Sequence, residues 1–151
     1  MQIVSQSLAE TKRVAEELLN NIQPRETATV LALEGDLGSG KTTFTQHVGE
    51  ILGVGENMHS PTFVIMKVYQ LTGRHGVSTT PFDRLIHIDA YRLESESELL
   101  HLGWGEIIKE KGNLILIEWP ERVRGIIPDD AQWIHFQFID ESTRQIDYEK
   151  S

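Results

Sequence analysis

The chain has no cysteine among its 151 residues, which excludes disulfide bonds and thiolate metal sites. Basic residues are also scarce, since 14 Lys and Arg stand against 23 Asp and Glu, for a formal net charge of -9. Broad binding to DNA or to an anionic membrane needs a basic face, so neither partner is expected. No apolar run is long enough to span a bilayer, and no signal peptide is recognisable. We therefore expect a cytoplasmic protein that forms one domain, residues 1–151.

The stretch from Gly35 to Thr43 carries the strongest chemical signal. Its letters, GDLGSGKTT, fit G-x-x-x-x-G-K-[ST], the phosphate-binding loop of nucleotidases. Residues 29–33 before it are apolar and favour a strand, and residues 42–52 after it have apolar side chains at helical spacing. Glycines allow successive backbone N–H groups to point at one centre, and a helix N-terminus favours a bound phosphate. A simple glycine turn would leave the lysine and the hydroxyl of this stretch unexplained.

The side chains next to this loop suggest phosphate and metal binding. We expect Lys41 to reach the β- and γ-phosphates as a point charge and the Thr42 hydroxyl to take one Mg²⁺ position. Two later strands end in acids, Asp89 after an apolar run and Glu118 after four aliphatic residues. The second has the pattern of a Walker B strand, which presents an acid beside the metal. Either acid alone could be only a hydrogen-bonded carboxylate, but two of them near one phosphate loop weaken that interpretation.

The remaining elements complete an α/β pattern. Ser7 to Glu10 predicts a capping box that opens a helix, which Pro24 ends. Residues 63–69 favour a strand, and the long connection 71–84 is rich in Gly, Ser and Thr. Residues 132–139 and 144–148 predict a hairpin at the edge of the sheet, with nothing that looks catalytic. The predicted fold is a three-layer P-loop NTPase fold, a mainly parallel sheet flanked by helices with an antiparallel edge.

Four motifs occur in order: the phosphate loop, then SPTF at 60–63, HIDAYR at 87–92 and IEWP at 117–120. Together they resemble the TsaE (YjeE) family of bacterial P-loop ATPases, from the first helix to about Pro128. The resemblance implies an ATP- and Mg²⁺-dependent protein that joins TsaB and TsaD in making N6-threonylcarbamoyladenosine in tRNA. TsaD would be the transferase, and tRNA would be met only through the complex. ATP binding and hydrolysis would reset that complex between turnovers.

The same resemblance implies roles for individual residues. Lys41 and Asp89 would serve hydrolysis, and Thr42 and Glu118 would ligate Mg²⁺. Residues 60–62 would form a nucleotide-sensing switch, although from the residues alone they could equally be a plain strand start. Ser39 departs from the alanine that the family commonly has. The residues implied to bind the nucleotide are Thr11, Asp36, Leu37, Gly38, Ser39, Gly40, Lys41, Thr42 and Thr43.

Three other functions compete with this hypothesis. A GTPase switch would need Asn-Lys-x-Asp and Asp-x-x-Gly stretches, and the chain has neither. A small-molecule kinase would carry an arginine-bearing lid, for which residues 71–84 are a candidate. A nucleotide-binding adaptor that does not hydrolyse ATP is disfavoured by the intact Lys41, Thr42, Asp89 and Glu118.

Overall fold

The computed structural model describes residues 1–23, 25–54, 58, 65–71 and 80–149. The predictions for Pro24, for the switch at 60–62 and for most of the connection 71–84 therefore fall outside the described residues. In chain order the elements are β1 (Gln2–Ser5), α1 (Leu8–Asn21), β2 (Thr29–Gly35), α2 (Lys41–Ile51), β3 (Met66–Gln70), β4 (Arg84–Asp89), α3 (Glu96–His101), α4 (Trp104–Ile107), β5 (Asn113–Glu118), a 3-10 helix (Pro120–Ile126), β6 (Gln132–Asp140) and β7 (Thr143–Tyr148).

One sheet holds these strands in the order β1-β7-β6-β2-β5-β4-β3. The four central strands, β6, β2, β5 and β4, run parallel, and the strands outside them pair in antiparallel fashion. The predicted α/β P-loop fold is confirmed, with antiparallel strands at both edges of the sheet. The hairpin β6–β7 was predicted to form the edge, and this was wrong, because β1 pairs with β7 and covers it.

The core lies on both faces of the sheet. In β2, Leu31 and Leu33 belong to the cluster beneath α1 and α2, whereas Val30 and Ala32 belong to the cluster beneath α3, α4 and the 3-10 helix. β5 alternates in the same way between its two faces. Successive side chains of a strand point to opposite faces, so a strand covered on both sides must be apolar throughout. This explains the unbroken aliphatic runs of β2 and β5.

Helix α1 begins as the capping box predicts. The Ser7 hydroxyl accepts a hydrogen bond from the Glu10 N–H at 3.1 Å, and the Glu10 carboxylate accepts one from the Gln6 N–H at 2.5 Å. The first bond satisfies an N–H group that a helix leaves unpaired at its first turn, and the second ties the residue before the N-cap to the helix. The short loop between β1 and α1 is thereby fixed beside the phosphate loop, at one end of the cleft described below.

Candidate functional site

The phosphate loop leaves the carboxyl end of β2 and enters α2. The carboxyl ends of parallel strands meet at one edge of the sheet, so the ends of β4 and β5 lie beside this loop. Gly38 and Gly40 have backbone φ angles of 77° and 106°. Residues with a Cβ rarely adopt such angles, so glycine is required at both positions for the loop to turn. The local sequence thus dictates the local shape.

Lys41, the first residue of α2, is 4% exposed. Its ammonium group donates to the carbonyl oxygen of Gly35, and Nζ lies 3.6 Å from the centroid of the Trp119 ring. Burial lowers the pKa of Lys41, and the surrounding carboxylates of Glu118, Glu121, Asp89 and Asp36 oppose that shift. The charge is therefore held by one carbonyl and one aromatic face. A bound phosphate would offer this ammonium group a stronger partner.

Thr42 and Glu118 meet as the sequence predicts. The Thr42 hydroxyl donates to Oε1 of Glu118 at 3.1 Å, and Glu118 is 3% exposed. Beneath them lies His87, which is 1% exposed and whose Nε2 is 2.6 Å from Oε2 of Glu118. Nδ1 of His87 has no hydrogen-bond partner among the described residues, so we place the proton on Nε2, where it is donated to Glu118. His87 thus fixes the orientation of the carboxylate.

The oxygen atoms of Thr42 and Glu118 are the ligand type that Mg²⁺ prefers. Among the described residues, no cluster of three or more His, Cys, Asp or Glu could hold a metal. Mg²⁺ commonly takes one or two protein oxygens and completes its coordination with phosphates and water, so two protein ligands suffice. The residues present therefore fit the metal that the sequence implies.

Asp89 lies opposite Glu118 in the register between β4 and β5. One of its carboxylate oxygens accepts a hydrogen bond from the Tyr91 N–H at 3.0 Å, which orients the side chain at the strand end. The Tyr91 ring lies against that of Trp119, with centroids 5.0 Å apart. Trp119 has a φ of 58°, and it is the one residue other than glycine with a positive φ in the described ranges. This unusual backbone turns its ring over Lys41.

Lys41, Thr42, Asp89, Glu118 and Trp119 border one cleft of about 740 Å³, and His87 lies behind Glu118. The opposite wall comes from the loop between β1 and α1 and from the β6–β7 hairpin. There Thr11 shares a hydrogen bond of 2.7 Å with the Ser5 hydroxyl. The residues with predicted roles that border the cleft are Thr11, Leu37, Gly38, Ser39, Gly40, Lys41, Thr42, Thr43, Asp89 and Glu118.

Two members of the predicted nucleotide site are placed differently from the rest. Asp36 is exposed and is not among the residues that border the cleft; its carbonyl accepts from the Ser39 N–H at 3.1 Å. Ser39 is 0% exposed, and its hydroxyl lies against Gly35, with no hydrogen-bond partner in the described part of the chain. The motif locates both residues in the loop, but it does not specify where their side chains point.

The β6–β7 hairpin is part of this site, which its sequence did not predict. Glu141, Ser142 and Arg144 border the cleft, although nothing in the hairpin looks functional in sequence. An isolated arginine in a polar turn carries no recognisable signal, because its proximity to the phosphate loop depends on the pairing of distant strands. The short β1 segment was missed for the same reason.

The site has a glycine loop at the carboxyl edge of a mainly parallel sheet. Lys41 and Thr42 follow this loop at the start of a helix, and a carboxylate at a strand end faces them. These features define a protein of the P-loop class. The family model described as "Threonylcarbamoyl adenosine biosynthesis protein TsaE" matches residues 5–146. The chain belongs to the TsaE family.

Individual relatives agree with this assignment. The chain is 37% identical over 139 residues to the tRNA threonylcarbamoyladenosine biosynthesis protein TsaE of Bacillus subtilis (strain 168), covering 92% of this chain and 78% of that protein. It is 34% identical over 149 residues to the protein of the same name from Treponema pallidum (strain Nichols), covering 97% and 98%. The crystal structure of Bacillus subtilis YdiB superposes with a TM-score of 0.69 at 28% identity, covering 98% of this chain and 83% of that one.

The described residues include no helix that combines the length and apolarity needed to cross a bilayer.

Proposed function

We propose that this protein is a Mg²⁺-dependent ATPase that assists the TsaB–TsaD pair in tRNA threonylcarbamoyladenosine modification. The observation that carries the ATPase proposal is the placement of the buried Lys41 and Glu118, with the Thr42 hydroxyl bonded to Glu118, beside the glycine loop. The role in tRNA modification is supported by membership of a family whose name refers to that pathway. The protein would act in the cytoplasm as one domain.

In the proposed mechanism the loop amides and the start of α2 bind the phosphates of ATP. Lys41 exchanges the Gly35 carbonyl and the Trp119 ring for phosphate oxygens, which are stronger partners for a desolvated ammonium group. Trp119 is then free to rearrange, and through its contact with Tyr91 it is linked to the segment that follows Asp89. Nucleotide binding would thereby alter the end of β4.

Thr42 and Glu118 would hold the metal, with His87 keeping the carboxylate oriented from below. When bound, Mg²⁺ would neutralise charge that develops on the terminal phosphates. Asp89 lies beside Glu118 in the sheet and would orient the water that attacks the γ-phosphate. The water oxygen forms a bond to phosphorus as the bond to the ADP leaving group breaks, and the proton of the water passes to Asp89 or to solvent.

The ATPase part is tested by measuring phosphate release from ATP with MgCl₂ and with EDTA. We expect turnover that requires the metal, and metal-independent turnover would contradict the assigned Mg²⁺ site. Slow turnover by the isolated protein is expected, because partner proteins often complete the active sites of P-loop enzymes.

The partner part is tested by capture of purified TsaB and TsaD on the immobilised protein, with ATP or without nucleotide. We expect ATP to change the amount captured and Lys41→Ala to remove that dependence. A protein that instead phosphorylates a small molecule would capture neither partner, so this experiment separates the proposal from the kinase alternative.

A further inference from the structure

Arg144, the second residue of β7, lies directly against the phosphate loop. A Cβ atom added to Gly40 would meet Cγ of Arg144 at 3.6 Å, Cδ at 3.8 Å and Nε at 3.9 Å. The stem of the arginine therefore crosses the glycine that precedes Lys41. Arg144 also borders the cleft, on the wall opposite Glu118 and Asp89.

Neutral groups hold Arg144 in place. Its Nη1 donates to the carbonyl oxygens of Asp140 at 2.5 Å and Thr143 at 3.0 Å, and its guanidinium carbon is 4.7 Å from the centroid of the Phe138 ring. These contacts order a long side chain before any ligand binds, which reduces the entropy that binding would cost. None of these contacts supplies a negative charge to pair with the guanidinium group.

Other arginines of the chain differ in this respect. Arg25 pairs with the carboxylate of Asp130 at 3.1 Å, and Arg124 pairs with that of Glu34 at 3.2 Å. Within the described residues, Arg144 has no carboxylate at salt-bridge distance. An unpaired guanidinium beside a phosphate loop, in a chain of net charge -9, is suited to an anionic ligand.

The strand order decides which part of the ligand Arg144 faces. β2 carries the loop, with β5 and its Glu118 on one side and β6 followed by β7 on the other. Thr42 and Glu118 would hold Mg²⁺, and the metal would neutralise charge on the terminal phosphates, so these two residues mark the side of the cleft where the polyphosphate ends. The cleft continues on the β7 side, where Ser5 and Thr11 border it, and we place the nucleoside there. Arg144 lies between these two ends.

We propose that Arg144 is a phosphate-binding residue that contacts the phosphate nearest the nucleoside. Its planar guanidinium can donate two parallel hydrogen bonds to phosphate oxygens, which a lysine cannot do. This proposal deepens the ATPase proposal and rests on it. Arg144 would be a second cation of the site, on the side of the loop opposite the proposed metal ligands and Asp89.

The test compares Arg144→Ala and Arg144→Lys with the unchanged protein by titration of ATP and ADP, each with Mg²⁺ and with EDTA. ATP and ADP both carry the phosphate nearest the nucleoside. Arg144→Ala should therefore reduce the affinity for each nucleotide by a similar factor, about tenfold, with or without metal. Arg144→Lys should recover part of the loss. Adenosine, measured by competition, should bind equally to all three proteins, and Arg124→Ala is the control, since that arginine pairs with Glu34 away from the cleft.

The outcomes separate this proposal from the one it rests on. Unchanged affinity for ATP and ADP in Arg144→Ala, together with a loss in Lys41→Ala, would overturn the role of Arg144 alone. A loss that extends equally to adenosine would place Arg144 on the nucleoside and also overturn it. Failure of the unchanged protein to bind ATP would remove the ATPase proposal itself. If its melting temperature shows that Arg144→Ala does not fold, the affinity of Arg144→Lys for ATP and ADP tests the proposal instead. A reduced affinity for both nucleotides supports it, and an unchanged affinity overturns it.

Discussion

The two walls of the cleft differ in how their charged and polar groups are held. On the wall formed by the loop and by the ends of β4 and β5, Lys41 is 4%, Glu118 3% and His87 1% exposed. The opposite wall is built from the loop between β1 and α1 and from the β6–β7 hairpin; there Ser5 and Thr11 are buried, but Glu141 and Ser142 of the hairpin turn are exposed. The charged groups Lys41 and Glu118 of the first wall are thus desolvated, whereas the hairpin turn of the second wall is open to solvent. We call them the motif wall and the hairpin wall.

This difference indicates a division of labour. Desolvation strengthens the interactions of a charge with its ligand, so groups that act on a reacting phosphate gain from burial on rigid strands. Groups that only hold a ligand can tolerate solvent, because water weakens each contact without changing its geometry. We therefore expect changes on the motif wall to affect turnover or metal use, and changes on the hairpin wall to affect affinity alone.

The largest effect is expected from Lys41→Ala on the motif wall. Removing the cation that faces the transferring phosphate should reduce ATP turnover by on the order of 100-fold or more. Phosphate release at saturating ATP measures this loss. Lys12→Ala is a matched control, since Lys12 pairs with Glu50 at 3.1 Å on the surface. Normal turnover in Lys41→Ala would contradict the contrast between the two walls, because a buried cation of the motif wall would then have no chemical role.

A smaller effect, confined to the rate, is expected from Asp89→Asn. The amide keeps the size of the side chain and can still accept from the Tyr91 N–H, but it cannot take a proton. Hydrolysis should slow by about 100-fold while ATP affinity stays within about twofold. Single-turnover kinetics and equilibrium titration separate the two quantities. A large loss of affinity with normal hydrolysis would reverse the proposed role of Asp89.

Glu118→Ala should reduce the part of ATP binding that depends on Mg²⁺. ATP affinity in Mg²⁺ should fall by about tenfold, whereas affinity in EDTA should change little. Glu118→Gln is the companion variant, because it preserves the shape, its amide oxygen can still accept from His87, and its NH2 group can donate to the Thr42 hydroxyl instead of accepting from it. A similar result from both variants assigns the effect to the lost charge. Equal loss in Mg²⁺ and in EDTA would remove Glu118 from the metal site.

The two walls also differ in how far the sequence predicts them. The phosphate loop is predictable because its shape depends on adjacent residues, and β5 is predictable because burial on both faces demands an apolar run. β1 is four residues long and pairs with residues 144–147, at the far end of the chain. No local pattern specifies that pairing. The approach of Arg144 to Gly40 depends on another distant pairing, that of β6 with β2, so the hairpin wall becomes visible only in the folded structure.

The smallest effect is expected from Ser39→Ala, which separates membership of the motif from contact with the ligand. The Ser39 hydroxyl is buried against Gly35 and has no hydrogen-bond partner among the described residues. Removing an unsatisfied buried hydroxyl should leave the free energy of unfolding unchanged or raise it by up to about 1 kcal/mol. Thermal unfolding of the variant and of the unchanged protein measures this difference. ATP affinity should be unaffected, since Ala keeps the backbone N–H of the loop. A clear loss of ATP affinity would mean that this hydroxyl leaves its buried position to contact phosphate, and the motif wall would then be less rigid than its burial implies.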